Sequence, residues 1–394
     1  MKHLTLICFL LFLLIPDSGK ACTMYKITKN GQTIVGNNED YLSPNSQFWF
    51  ETGTPETYGV MYMGLLDNFA QGAVNEAGLV FDGFWEPYLE IKNTEGKLAI
   101  PIGEALKKVM QTMSKVADVK NYLQTINLSA LANGQLVFVD QSGNYLVLEG
   151  DEMILGDESE KTFSNFYYSQ INSLEEVELD YFQKGQAFID STSTSPTFEY
   201  CSQAMHQFSQ SKIAATQYTT IYDLNKLTIR VHLFNDFSEF IELDLKKELQ
   251  KGDHRTMIAE LFPIDSKGHL HYKKYNNLEQ PCLFIEEMIG DSEISEQEYL
   301  NMGFDNIINS IASEWLYDLN KPDVAIKVCA YGLSLMPNNS SLYERLGEAY
   351  FLQEDRHNAI KHYAYSLFLN PENERAIEMI QQINDQQTQH QAKE

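Results

Sequence analysis

A chain of 394 residues, 43% hydrophobic and 12% aromatic, is long enough for two domains with buried cores. Its formal net charge of -26 sets up a field that repels nucleic acid and anionic membrane and disfavours polyanionic substrates, so no nucleic-acid partner is expected. Five cysteines without paired short spacings indicate neither a zinc site nor a disulfide framework, and no metal or cofactor is implied.

The chain opens with a short basic head, Met1-Lys2-His3, and an apolar run from Leu4 to Ile15. That run is too short to span a bilayer, which takes roughly 20 residues. Gly19-Lys20-Ala21 gives the small-x-small pattern of a signal peptidase site. Residues 1–21 are therefore expected to be a signal peptide, with export to the periplasm or outside the cell and no stable membrane insertion.

Cleavage after Ala21 makes Cys22 the first residue. Its thiol then sits one carbon from a free α-amine, so nucleophile and proton acceptor arrive together. An α-amine titrates near ~7.7–8.0 and a free thiol near ~8.5, so each is within reach of the other's proton at neutral pH. Two further parts are needed: a group that holds the amine, and donors for the oxyanion formed when sulfur attacks a carbonyl.

Residues 22–41 read as a hairpin turning at Asn30-Gly31. A two-residue loop puts position 22 opposite 39, whereas a three-residue loop with a bulge puts it opposite Asp40. Either register brings Cys22 beside the Asn37–Tyr41 segment, and the second favours Asp40 as the group that holds the amine. Helical patches follow at 103–114, 115–126 and 199–210. Gln135–Asp140 and Tyr145–Glu149 form a hairpin about a polar turn, and Leu227–Phe234 alternates as a strand. Runs of strands with helices between them predict a layered α+β domain over residues 22–290. His269 and His271, two apart on an expected strand, lack a third ligand at metal-binding spacing and read as surface residues. The acidic stretch Met288–Glu298 reads as a linker.

Residues 291–394 are then purely helical and repeat internally. Ala325, Cys329, Gly332 and Pro337 recur 34 residues later as Ala359, Tyr363, Ser366 and Pro371. The second copy, with Tyr343, Leu346, Gly347 and Tyr350, matches a tetratricopeptide repeat position by position. Residues 375–386 supply a capping helix. Two repeats are fewer than the three or so needed for independent stability, so this small all-α domain is expected to lean on the first domain and to offer a surface to a peptide or protein partner.

Cys22-Thr23, the segment Gly36-x-Asn38-x-Asp40, and Asn75-Glu76-Ala77-Gly78-Leu79 with Gly83 resemble the choloylglycine hydrolase and penicillin V acylase family. They also resemble its isopenicillin N acyltransferase-like relatives. The resemblance covers roughly residues 22–265 and extends through Thr219–Asp223 and Lys251-Gly252-Asp253-His254. It implies an αββα N-terminal nucleophile hydrolase sandwich that cleaves linear C–N amide bonds through an acyl thioester on the terminal cysteine. By the same resemblance, Cys22 is the nucleophile, Asp40 orients its amine, and Asn165 and the backbone N–H of Trp85 form the oxyanion hole. An aromatic residue at position 85 is the penicillin acylase pattern rather than the bile-salt one. Asn75 and Glu76 shape a turn.

The sequence departs from the family at two cations. Asn37 stands where an arginine usually packs against the nucleophile, and no arginine occurs between Asp151 and Ile229 to supply the second. Their loss should raise the thiol pKa and weaken oxyanion stabilisation. Two functions follow: an exported amidase acting on a small N-acyl amide with an apolar or aromatic acyl part, or a degraded fold that binds partners through its helices. Phe48, Trp49, Phe50, Phe84 and Trp85 are candidates either for the acyl pocket or for the core.

Overall fold

A computed structural model describes residues 22–211, 214–289 and 294–391, with side chains given through residue 386. The signal peptide and the boundary at 290/291 lie outside the described residues. The chain enters as β1 (Thr23–Lys29) and β2 (Gln32–Asp40), followed by β3 (Gln47–Glu51), β4 (Val60–Gly64), β5 (Ala70–Asn75) and β6 (Val80–Trp85). Helices α1 (Ile102–Thr112) and α2 (Val116–Leu123) lead to β7 (Gly134–Val139), β8 (Tyr145–Glu149), β9 (Glu152–Gly156) and β10 (Glu160–Ser164). Then come α3 (Asp180–Ser191), α4 (Phe198–Phe208), β11 (Thr216–Asp223), β12 (Thr228–Leu233), β13 (Asp236–Asp244), α5 (Leu245–Leu249) and β14 (His254–Met257).

These strands form two antiparallel sheets, ordered β10-β1-β2-β11-β12-β13 and β14-β3-β4-β5-β6-β7-β8-β9. Period-2 alternation sorts each strand's side chains between two buried faces. Met24, Val35, Phe48, Val74, Val137 and Phe163 fill the space between the sheets. On the outer face of the longer sheet, Leu106, Val109, Val119 and Leu123 of α1 and α2 cover Tyr62, Phe81 and Phe138. On the other, Phe182, Cys201, Met205 and Phe208 of α3 and α4 cover Tyr25, Ile27 and Ile221. The result is a helix–sheet–sheet–helix sandwich. Gly36 permits the close seating of α4 on β2, because a Cβ there would lie 2.7 Å from the Cys201 sulfur.

The hairpin register is settled by its turn. Asn30 and Gly31 both take positive φ, 53° and 76°, as a two-residue type I′ loop requires. Pairing runs from Lys29–Gln32 to Thr23–Asn38, so Cys22, one residue on, comes opposite Glu39. The three-residue alternative is excluded.

One other expectation is corrected, and one left open is decided. His269 and His271 lie on helix α6 (Lys267–Tyr275), whose start is capped by the Ser266 side chain accepting from the His269 N–H. Two residues apart on a helix they point in different directions. His269 Nδ1 meets the Ala259 carbonyl and His271 stacks on Phe234 at 3.7 Å. Phe48, Trp49 and Phe50 are core residues, 0%, 7% and 2% exposed.

Helices α7 (Leu283–Ile289), α8 (Glu296–Asn301), α9 (Phe304–Ser313), α10 (Pro322–Leu335), α11 (Ser340–Leu352), α12 (Arg356–Leu369) and α13 (Glu374–Gln391) complete the chain. A capping box of Ser295 and Glu298 starts α8 inside the stretch expected to be a linker. From α9 onward, successive helices pack against one another. The repeated positions Ala325 and Ala359, Cys329 and Tyr363, and Gly332 and Ser366 are buried in both copies. A Cβ on Gly332 would lie 2.8 Å from Ile308, so its smallness sets how closely these helices approach.

The helical region shares a core with Leu42 and Tyr275 of the sandwich. At this junction Glu314 accepts hydrogen bonds from Ser43 Oγ at 2.7 Å, Asn45 Nδ2 at 2.7 Å and Tyr275 Oη at 2.5 Å. Ser43 and Asn45 belong to the loop that leaves β2 just after Asp40. Glu314→Ala would strand these donors at a cost of about 1–3 kcal/mol for each one left unsatisfied. The variant is expected to lose roughly 3 kcal/mol or more in denaturant melts, with Glu314→Gln much closer to wild type.

Candidate active site

Cys22 lies at the end of β1, 7% exposed, in the wall of a cleft of about 320 Å³ that Gln71, Phe84, Trp85, Leu131 and Leu136 also line. A second cavity of about 340 Å³ adjoins the helical region and shares Tyr41, Leu65 and Asp67 with the first. The helical region thus borders the approach to Cys22.

Asn165 follows β10, which pairs with β1 and ends at Thr23–Ser164. This pairing brings its side chain to Cys22, whose backbone nitrogen donates to Asn165 Oδ1 at 2.6 Å. Asn165 Nδ2 donates to the Trp85 carbonyl at 2.7 Å, leaving the second amide hydrogen for another acceptor. Ser164 Oγ donates to the Cys22 carbonyl at 2.8 Å and fixes the residue from behind.

Trp85 ends β6. The Glu86 N–H bonds the Asn133 carbonyl, so the Trp85 N–H, one residue earlier, is directed away from β7. On that other side the pairing with β5 already stops at Gly72–Asp82. Cys22 and Trp85, far apart in the chain, thus line one cleft, and the Asn165 amide bridges their backbones.

Asp40 lines the same cleft as Cys22. On β2, residues 35, 37 and 39 face the space between the sheets, and residue 40 turns the other way. Asp40 accepts from Thr216 Oγ1 at 2.5 Å and Gln210 Nε2 at 2.6 Å. Burial raises the Asp40 carboxyl to about 8 against these two donors.

Asn37 is buried and donates through Nδ2 to Glu39 Oε1 at 3.1 Å. Among the described residues its Oδ1 has no hydrogen-bond partner. Asn75 shapes a turn as expected: its Oδ1 accepts from the Ala77 and Leu79 N–H groups, and its Nδ2 donates to the Met110 and Met113 carbonyls.

Two residues escaped the sequence reading. The Cys22 thiol points at Glu39 Oε2, 3.4 Å away, and Glu39 in turn hydrogen-bonds with Asp82 of β6. The clue to Glu39 was Asn30-Gly31, whose preferred loop dictates the register. The clue to Asp82 was a lone carboxylate in the apolar strand Val80–Trp85. Burial, then Glu39, Asp40 and Asp82, push the thiol well above its usual range, against the Asp40 N–H that favours the thiolate. This is the direction expected from the two missing cations, with burial the larger cause.

His269, His271, Cys201, Cys282 and Cys329 take no part in this site. The described cysteines are all free thiols. No group of three or more metal-ligating side chains occurs among the described residues, and no described helix is long and apolar enough to cross a membrane.

No curated protein sequence matches. Among solved structures, the chain is similar to a variant of the conjugated bile acid hydrolase from Clostridium perfringens, at 18% identity and a TM-score of 0.46, covering 60% of this chain and 96% of that one. It is also similar to the penicillin V acylase from Agrobacterium tumefaciens, at 14% identity and a TM-score of 0.45, covering 57% and 86%. A family model matches residues 21–173, the stretch that holds Cys22, Asp40, Trp85 and Asn165, and its description is linear amide C–N hydrolases, choloylglycine hydrolase family. Over those residues the chain is similar to linear amide C–N hydrolases of the choloylglycine hydrolase family.

Proposed function

We propose that the protein is an exported amidohydrolase that cleaves the C–N bond of a small N-acyl amide through an acyl thioester on Cys22. The observation that carries this reading is that Cys22 and Trp85 line one cleft while the Asn165 amide bridges the Cys22 nitrogen and the Trp85 carbonyl. Signal removal after Ala21 turns the Cys22 nitrogen into an α-amine.

Sulfur attacks the acyl carbon as the thiolate, its proton already given up, and the carbonyl oxygen takes the displaced electron pair. The Trp85 N–H and the second hydrogen of Asn165 Nδ2 are its donors, an arrangement worth on the order of 10²–10³ in rate per donor. Collapse breaks the C–N bond, and the α-ammonium gives the leaving nitrogen its proton. Water then attacks the thioester, giving its proton to the α-amine and releasing the acid. Phe84, Trp85, Leu131 and Leu136 offer an apolar wall for the acyl part. No cofactor is needed for these steps.

The test is to determine the N-terminus of exported protein and to incubate it with N-acyl amino acids, N-acyl homoserine lactones and penicillin V before an acid quench. The expected result is a chain starting at Cys22 and a mass adduct equal to the acyl group on the Cys22 peptide. A chain that starts elsewhere and never forms the adduct would refute the reading.

The carboxyls that surround Cys22, where cations were expected, favour a second reading: a site that no longer turns over, in a protein that binds partners through tetratricopeptide-like helices. In that case Cys22 is exposed at the N-terminus but no acyl adduct forms with any of the three substrate classes.

A further inference from the structure

The nitrogen of Cys22 is turned to Asn165, but its sulfur is not. It faces Glu39. The position of Glu39 follows from three pairings. On β2 it lies opposite Cys22 on one side and opposite Tyr218 of β11 on the other. From the facing sheet, Asp82 reaches across the gap to it. Cys22, Glu39 and Asp82 are 7%, 2% and 2% exposed, so bulk water does not mediate between them.

Two carboxyls in hydrogen-bond contact cannot both be ionised, and one keeps a proton. The donors identify which. Glu39 receives the Cys22 thiol and Asn37 Nδ2, whereas Asp82 receives the Gly83 N–H at 2.7 Å and a share of the Asn37 amide; the bond between the two carboxyls favours the charged form of Glu39 and the neutral form of Asp82. Glu39 is the carboxylate and Asp82 the neutral acid.

We propose that Glu39 is a catalytic residue that takes the thiol proton of Cys22, with Asp82 as a positioning residue that holds it by donating a hydrogen bond. This deepens, and rests on, the amidase reading. As the sulfur–carbon bond forms, the S–H proton passes to Glu39 Oε2. When the thioester is hydrolysed and thiolate is released, Glu39 returns the proton to sulfur. The α-amine then serves only the leaving nitrogen and the attacking water. A buried carboxylate thereby replaces the usual means of activation, in which a cation lowers the thiol pKa. Other titratable groups face Glu39: Cys22 and Asp40 beside it, Asp82 across the gap, and Tyr218 and Tyr222 on β11. None is a cation. Burial lifts Glu39 to about 7, within range of a thiol proton acceptor at neutral pH.

The decisive measurement is the rate of Cys22 alkylation by iodoacetamide against pH, followed by peptide mass, in the mature full-length protein. Wild type is expected to show an inflection near neutral pH as Glu39 ionises, well below the rise from free thiolate. Glu39→Gln should lose this inflection, react at least ~10-fold more slowly at neutral pH, and lose on the order of 10²–10⁴ in amide turnover. Asp82→Asn keeps a donor toward Glu39 and should retain the inflection. A wild-type profile with a single rise above pH 9 overturns the proposal without recourse to any variant. So does a Glu39→Gln profile that matches wild type. If turnover is absent while the inflection depends on Glu39, the proton-acceptor assignment stands and the amidase reading fails. If turnover is present without that inflection, the reverse holds.

Discussion

Cys22→Ala is expected to reduce hydrolysis of any accepted N-acyl amide by about 10⁴-fold or more, the scale on which loss of a nucleophile acts. Stability should barely move. The thiol contributes one buried sulfur at the rim of the core, so the cost is on the order of 1 kcal/mol. The Asn165 amide and Trp85 backbone remain, so the variant should still bind substrate, detectable as a thermal shift that saturates with added acyl amide. Cys22→Ser tests a finer point. A hydroxyl is far harder to deprotonate than a thiol, and in this acidic surrounding no cation helps, so serine should rescue little. Turnover within about tenfold of wild type in Cys22→Ala would remove Cys22 from the chemistry altogether.

The second large effect is on stability against pH. Burial raises Glu39 to about 7, Asp40 to about 8 and Glu86 to about 9, and raises Asp82 and Glu314 as well. For each, the folded state keeps a proton at pH values where the unfolded chain has lost it. Their stabilising contribution is therefore full below about pH 4, the ordinary carboxyl range, and is lost as pH rises through the folded values. Each unit of separation corresponds to about 1.4 kcal/mol, so together these groups should remove several kcal/mol between about pH 5 and 8.5. Growing negative charge on a chain of formal charge -26 acts in the same direction. Lys26, lowered to about 8 by burial, works oppositely but only as pH climbs past its own titration. Urea midpoints across this range should fall steadily; a flat or rising series would mean that these carboxyls are not buried with their protons. The same property suits the site, because a neutral Asp82 is what allows Glu39 to be an anion beneath the sulfur.

Much of this protein is legible in its sequence because the signals are local. Tyr145–Glu149 forms a strand over the residues expected, and the helices at 103–114, 115–126 and 199–210 are displaced by only a few residues in α1, α2 and α4. Asn75 makes its turn because a short amide side chain can satisfy backbone groups two and four residues on. The family resemblance rested on such short motifs, and the match over residues 21–173 agrees with it. His269 and His271 misled because a five-residue window of polar and aromatic residues carries no clear period. The Ser266 cap, together with packing, made it a helix.

Sequence alone singled out Cys22 and the Asn37–Tyr41 segment as its neighbours, and it put turn residues at 30 and 31. Which carboxylate meets the sulfur was left to the tertiary structure, because moving a strand by one residue exchanges its two faces. With the tight loop, Glu39 points inward to Cys22, and Asp40 points outward to Thr216 and Gln210. Asp82, some forty residues further along the chain, enters only when the second sheet closes over the first. No local pattern encodes a hydrogen bond between facing sheets; packing of the two apolar surfaces brings those carboxyls together and excludes the water that would separate them.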